Sequence, residues 1–411
     1  MKRCIRFLIA LLLPVLLLSS MPSLPVSAEE VTLNIYNWGE YLSYDDEESY
    51  DVLKEFERFY EETYGRSIEI NYSKFDSNES LYAKIKNGVS GYDVIIPSDY
   101  MIARLISEDL LEKLNYENIP NYQYIDDAFK GLYYDPNNEY TVPYTYGRVG
   151  ILYNADMVAE EDVTGTWDLM WNDHYTGKIL QFNNSRDAFG TAMYKLQIDV
   201  NTTDRKLWEK AKAELITQKP ILKSFVMDEV FGEMMNGDAA ISAYYAGDYL
   251  YMYEDNDALR FYYPEEGSNL FVDAMCVPKG CQNKEAAEIF INFMLSRDAA
   301  IANAETTYYA SPNSLVYEDP EYAEYMNSIH EDAMDILYPD DFDFHAQYDR
   351  YCFKNLDRDT LNMVNGLWED VKLSDSIGIS VYILCILVIV VIVAMIVRHA
   401  IVWKRRSKYY D

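Results

Sequence analysis

Apolar and polar positions along this chain repeat in two periods, and the two periods take turns. Leu33 and Ile35 alternate with polar neighbours and predict a strand over residues 32–36; further strands are predicted at 68–72 and, as a buried apolar run, at 93–97. Helical stretches fall between them at 52–64 and 81–86. After the proline- and tyrosine-rich crossing Thr141-Val142-Pro143-Tyr144 the rhythm resumes, with strands at 149–153, 178–182 and 239–244 and helices at 187–196 and 204–217. A strand at 274–277 follows, then a helix at 284–295 capped by Asn283 with Ile289, Phe290 and Phe293 on its buried face, and a last helix at 359–372. This succession predicts an α/β fold. About 345 residues carry it, more than a single core usually holds, so two lobes are expected.

Both chain ends follow other patterns. Residues 1–28 begin with Lys2, Arg3 and Arg6, continue through an apolar stretch from Phe7 to Leu18 and end in Val26-Ser27-Ala28, the layout of a secretory signal peptide. Cys4 precedes the apolar stretch, so it is not the lipid-bearing cysteine of a lipoprotein signal. Residues 377–397 form an uncharged run that, as a helix, reaches about 32 Å, close to the roughly 30 Å of a bilayer core. Arg398, Lys404, Arg405, Arg406 and Lys408 follow it. A single transmembrane helix at 377–397 is therefore expected, with a basic cytoplasmic tail at 398–411 and the rest of the mature chain outside the cell membrane.

Composition narrows the partners. Lys and Arg number 35 against 68 Asp and Glu, for a formal net charge of −33; because cations cluster at both ends, the segment between is more acidic still. Such a field repels nucleic acid and attracts cations, although acidic surfaces also serve solubility. Of the five cysteines, Cys4 lies in the signal and Cys385 in the span. Cys276 and Cys281 flank Val-Pro-Lys-Gly, a turn that permits one local disulfide, and Cys352 is left free. With four dispersed histidines, no metal site and no cofactor are expected.

The first strand ends in Trp38, Glu40 and Tyr41, two aromatics and an acid at a strand's C-terminal end. Ligands of open α/β sheets bind there, and π faces beside a carboxylate suit a cation. Taken alone, the same aromatics also serve as plugs for the top of a core. Four segments in order then carry a resemblance: Tyr-Asn-Trp-Gly-Glu-Tyr at 36–41, Tyr-Asp-Val-Ile-Ile-Pro-Ser-Asp-Tyr at 92–100, Ser-Arg-Asp-Ala-Phe-Gly at 185–190, and Pro-Glu-Glu-Gly at 264–267 leading to Asp273. Over roughly residues 31–372 the chain resembles the spermidine/putrescine-binding proteins of polyamine ABC importers.

The resemblance implies a two-lobed periplasmic-binding-protein fold of the type II kind that closes on a polyamine in an interlobe cleft. It implies lobe 1 at 29–145 returning at 273–318, and lobe 2 at 146–272 with a C-terminal helical part at 319–372. Carried over residue by residue, the aromatic box falls on Trp38, Tyr41, Tyr100, Tyr245, Phe271 and Tyr309, and the carboxylates on Glu40, Asp187 and Asp273; Ser98 is the polar group at the cleft. Asn184 stands where the family usually has Asp, Tyr245 and Phe271 where it has Trp, and a family glutamine near the C-terminus has no counterpart here. Asp228 and Asp248 are candidates to supply the missing charge, while Asp99 and Glu266 read as turn or surface acids.

A polyamine is an apolar rod bearing ammonium groups, so acids must meet its charges and aromatic walls can serve rod and charges together. The expected protein is not an enzyme: it would pass its ligand to a permease and an ATPase encoded elsewhere, since this chain has no Walker motif. The alternatives are a receptor for another small cation or solute, an anchored hydrolase using two of the many acids, and an adhesin without a cleft ligand.

Overall fold

A computed structural model describes residues 31–39, 41–44, 50–88, 91–339, 343–374 and 386–399. The predicted signal at 1–28, Glu40, residues 377–385 of the predicted span and the tail from 400 onward lie outside the described residues. Among these, nine strands form one mixed sheet: β1 (Val31–Trp38), β2 (Ile68–Phe75), β3 (Val94–Ile95), β4 (Thr141–Asn154), β5 (Ile179–Phe182), β6 (Leu222–Val226), β7 (Ile241–Tyr245), β8 (Leu259–Tyr262) and β9 (Leu270–Cys276). Their order is β2-β1-β3-β9-β4-β7-β5-β6, with β8 added on β4. β1 lies parallel to β2 and β3, whereas β9 runs antiparallel to both β3 and β4.

Helices form where the sequence supplies caps. The helix Val52–Tyr64 starts at Asp51, whose side chain accepts the Lys54 N–H, and stops at Gly65 with φ 63°, a left-handed value that costs glycine nothing. Its buried residues Val52, Phe56 and Tyr60 recur every fourth position and face the sheet. The predicted cap of the helix Lys284–Met294 differs: the Asn283 side chain makes no cap bond but donates to Thr32 O at 2.7 Å, tying the helix start to β1.

Two apolar cores result. Leu33, Ile35, Phe56, Ile95, Val272 and Phe290 belong to the first. Ile151, Leu180, Phe189, Trp208, Ile241 and Leu367 belong to the second. Tyr100, Tyr146 and Tyr245 pack against both. β4 joins the cores, since Val142 and Tyr144 lie in the first and Val149, Ile151 and Leu152 in the second. Residues 141–144 are thus no loop but the start of a 14-residue strand; Pro143 is accommodated at a register shift between Pro143 and Thr145, where its missing N–H interrupts no regular ladder. Residues 273–318 divide between the cores, with Phe290 and Phe293 in the first and Ala304 and Val316 in the second; from 319–372, Phe344 and Tyr348 pack in the first core.

The disulfide that the turn permits is not formed. Cys276, Cys281 and Cys352 are free thiols, and Cys281 Sγ instead donates to Asp93 Oδ1 at 3.1 Å. Asp93 also accepts the backbone N–H groups of Asn34, Gln282 and Asn283, so a carboxylate fastens this turn to β1 in place of a covalent bond. At the other end of the chain, residues 386–399 are helical and the apolar side chains from Ile386 to Val397 are exposed. Among the described residues no helix is long and apolar enough to cross a membrane.

Candidate functional site

The junction of the two cores carries most of the predicted site. β9 pairs with β4 so that Thr145 lies opposite Asp273 and Gly147 opposite Phe271. Phe271 and Asp273 are two residues apart on a strand and share a face. Tyr41, just beyond the end of β1, reaches this face: its hydroxyl donates to Asp273 Oδ2 at 2.7 Å and lies 2.6 Å from Thr145 Oγ1. Asp273 is 4% exposed, and its second oxygen, Oδ1, has no hydrogen-bond partner in the protein. Burial pushes its carboxyl up to about 6, against the pull of the Tyr41 and Ser98 hydroxyls. Ser98 forms an isolated bridge with Asp273 from the far side.

A second acid comes from the other core. Asn184 caps the helix Ser185–Lys195, its Oδ1 accepting the Asp187 N–H at 2.8 Å while its Nδ2 donates to Asp187 Oδ2 at 2.8 Å. The amide therefore serves the neighbouring carboxylate rather than a ligand charge. Tyr245, at the end of β7, donates its hydroxyl to the same Asp187 Oδ2 at 3.1 Å. Burial raises the Asp187 carboxyl to about 6 despite the Asn184 and Tyr245 hydrogen bonds.

Aromatic rings connect the two acids. Tyr41 and Tyr309 meet edge-on at 5.3 Å, Tyr309 and Phe271 at 6.1 Å, and Phe271 and Tyr245 at 5.5 Å. Tyr309 reaches this position because the helix Arg297–Thr307 ends in Tyr308 at φ 59°, a left-handed turn that redirects the chain. Its hydroxyl donates to Asp248 Oδ2 at 2.9 Å. Two glycines admit the rings: a Cβ at Gly147 would lie 2.7 Å from the Phe271 ring, and one at Gly247 would lie 2.9 Å from the Tyr309 ring.

The other predicted residues lie elsewhere in this arrangement. Trp38 is half-buried and packs on Phe75 at 4.5 Å, with its indole N–H buried and without a partner. Tyr100 donates to Glu79 and accepts from Asn78, while Asn78 also donates to Ser98. Glu40 lies outside the described residues. Asp99 is not a surface acid: it is 1% exposed, accepts the Tyr348 hydroxyl at 2.7 Å, and is raised by burial to about 7. Glu266 accepts the Trp167 N–H and holds a turn. Sequence reasoning missed Thr145, which its place in the alternation of β4 could have indicated. It also missed Arg186, 5% exposed, whose guanidinium lies over Tyr100 at 5.8 Å and over Phe353 at 4.6 Å; no local signal distinguishes it. Among the described residues no cluster of His, Cys, Asp and Glu could hold a metal ion.

Comparison with known proteins places this geometry in context. Residues 53–328 match the family described as bacterial extracellular solute-binding protein. The spermidine/putrescine-binding periplasmic protein of Escherichia coli is 32% identical over 283 residues, covering 69% of this chain and 78% of that protein. The putrescine-binding periplasmic protein PotF of Escherichia coli is 26% identical over 309 residues, covering 70% of this chain and 80% of that one. Among solved structures, the spermidine/putrescine ABC transporter substrate-binding protein PotD from Streptococcus pneumoniae superposes with a TM-score of 0.66 at 32% identity, covering 84% of this chain and 99% of that one.

Proposed function

The chain belongs to the bacterial extracellular solute-binding protein family, and from that membership we propose that it captures a polyamine between its two lobes, with Asp273 and Asp187 meeting the ammonium groups and Tyr41, Tyr309, Phe271 and Tyr245 lining the methylene rod. Members of this family bind solutes and do not transform them. The observation that carries the reading is Asp273: a buried carboxylate whose Oδ1 has no partner is costly unless a cation meets it. The Tyr41 hydroxyl occupies Oδ2 of Asp273 and leaves Oδ1 for an ammonium, while on Asp187 the Tyr245 hydroxyl and the Asn184 amide share Oδ2. Ring faces add roughly 0.5–2 kcal/mol per ammonium contact. Ser98 and Tyr100, linked through Asn78, and Trp38 on Phe75 are assigned to the first-lobe side of the same cleft, and the Asn184 amide steadies Asp187.

Calorimetry on the full-length protein in detergent tests the reading. Putrescine or spermidine should release binding heat and unrelated neutral solutes should not. Asp273→Asn should weaken polyamine binding by more than about tenfold, because removing one partner of a buried charge pair costs roughly 3–5 kcal/mol. Heat from a non-amine only, or an unchanged affinity in the variant, would overturn it.

Delivery to a membrane permease completes the proposal. The uncharged run 377–397 and the cations after it suit a single tether that keeps the binding lobes outside the cell and close to the permease, raising their local concentration there.

A further inference from the structure

The aromatic row carries a third acid in its middle. Tyr41, bonded to Asp273, touches Tyr309; Tyr309 touches Phe271; and Phe271 touches Tyr245, which is bonded to Asp187. Asp248 hangs from Tyr309, the ring between those two ends. A diamine has charges only at its ends, whereas a linear triamine has another inside the chain. We propose that Asp248, held by Tyr309, is a third acidic station that meets an internal ammonium and makes the cleft select a linear triamine over a diamine of equal length. The inference rests on the polyamine reading above.

Several features indicate that this position is built for a charge. Tyr308 and Tyr309 fasten two acids of the same helix, Ala246–Asp255, since the Tyr308 hydroxyl bonds Glu254 while that of Tyr309 bonds Asp248. The left-handed turn at Tyr308 and the bare Cα of Gly247 are both needed for Tyr309 to lie there. A serine or asparagine would satisfy the Tyr309 hydroxyl without the cost of a half-buried carboxylate. Among the described residues, Asp248 and Asp273 have no ion-pair partner, and the charge that acts on Asp248 is that of another acid, Asp228. Burial and Asp228 raise the Asp248 carboxyl to about 7 against the Tyr309 hydrogen bond, the behaviour of an acid that lacks its cation. The unpartnered Asp273 Oδ1 in the same box independently indicates a cationic occupant. Asp228 itself is exposed.

The discriminating pair of ligands is spermidine and 1,8-diaminooctane. Both place eight atoms between the terminal nitrogens, and only spermidine has a charge among them. Calorimetry on the full-length protein should give spermidine at least about a tenfold advantage, and Asp248→Asn should reduce it to within about threefold by weakening spermidine alone. The ratio is read within one protein, so partial loss of folded variant leaves it unchanged. Equal affinities in the unaltered protein, a ratio that survives Asp248→Asn, or equal weakening of both ligands would each overturn the third station while leaving polyamine binding in place. Absence of binding by either ligand would overturn the polyamine reading itself.

Discussion

A tyrosine hydroxyl on a buried or half-buried aspartate is the repeating unit of this site. Tyr41 on Asp273, Tyr245 on Asp187 and Tyr309 on Asp248 each pair a donor with an acid that burial holds above its ordinary range. The consequence for pH has a definite sign. Asp273 and Asp187 are raised to about 6 from 3.8, so the folded protein binds these protons more readily than the unfolded chain does, and their contribution to stability falls as pH rises from about 4 to 6. A bound ammonium reverses this by favouring the carboxylate form. Polyamine affinity should therefore fall by at least about tenfold between pH 7.5 and pH 5, and the ligand-induced rise in melting temperature should shrink with it. An affinity unchanged at pH 5, measured by calorimetry, would remove both acids from contact with the ligand's charges.

At the scale of elements, register decides what the acids can meet. The β4–β9 pairing sets Thr145 against Asp273 and Gly147 against Phe271, and a shift by one residue would turn Phe271 and Asp273 to the opposite face. Gly147 is the sensitive point: a methyl group there would lie 2.7 Å from Phe271 and 3.3 Å from Tyr309, so both rings must give way. Gly147→Ala should cost about 1–3 kcal/mol of stability in denaturant unfolding and weaken polyamine binding by roughly tenfold. A variant with normal affinity would show that the ring positions do not govern recognition. The motif at 185–190 is legible in sequence, but the pattern predicts its helix only from 187, and Asn184 reads there as a lost charge rather than as the cap it is. What the amide does is not legible, since the bond to Asp187 Oδ2 depends on how the first helical turn is wound.

At the scale of the whole molecule, two cores are joined by one long strand in a strongly acidic chain, and the proposed C-terminal tether is open to a direct test. Removing residues 376–411 should move the protein from the membrane to the soluble fraction and leave polyamine affinity within about threefold, as read by fractionation and calorimetry; loss of binding would mean that the end of the chain is more than a tether. The alternation of strand and helix, the need for two cores and the acidic field are properties of neighbouring residues or of composition, and the amino-acid sequence determined them by itself. So did the resemblance carried by four ordered motifs. Pairings across long separations are different. Tyr41 meets Asp273 over 232 residues and Tyr309 meets Asp248 over 61, and neither partner signals the other locally. The free thiol of Cys281 on Asp93, the burial of Asp99 under Tyr348 and the place of Asp248 in the middle of the aromatic row follow the same rule. Only the tertiary structure decided them, because a side chain's partner is fixed by strand register and helix packing, which sum contacts that no short stretch of sequence contains.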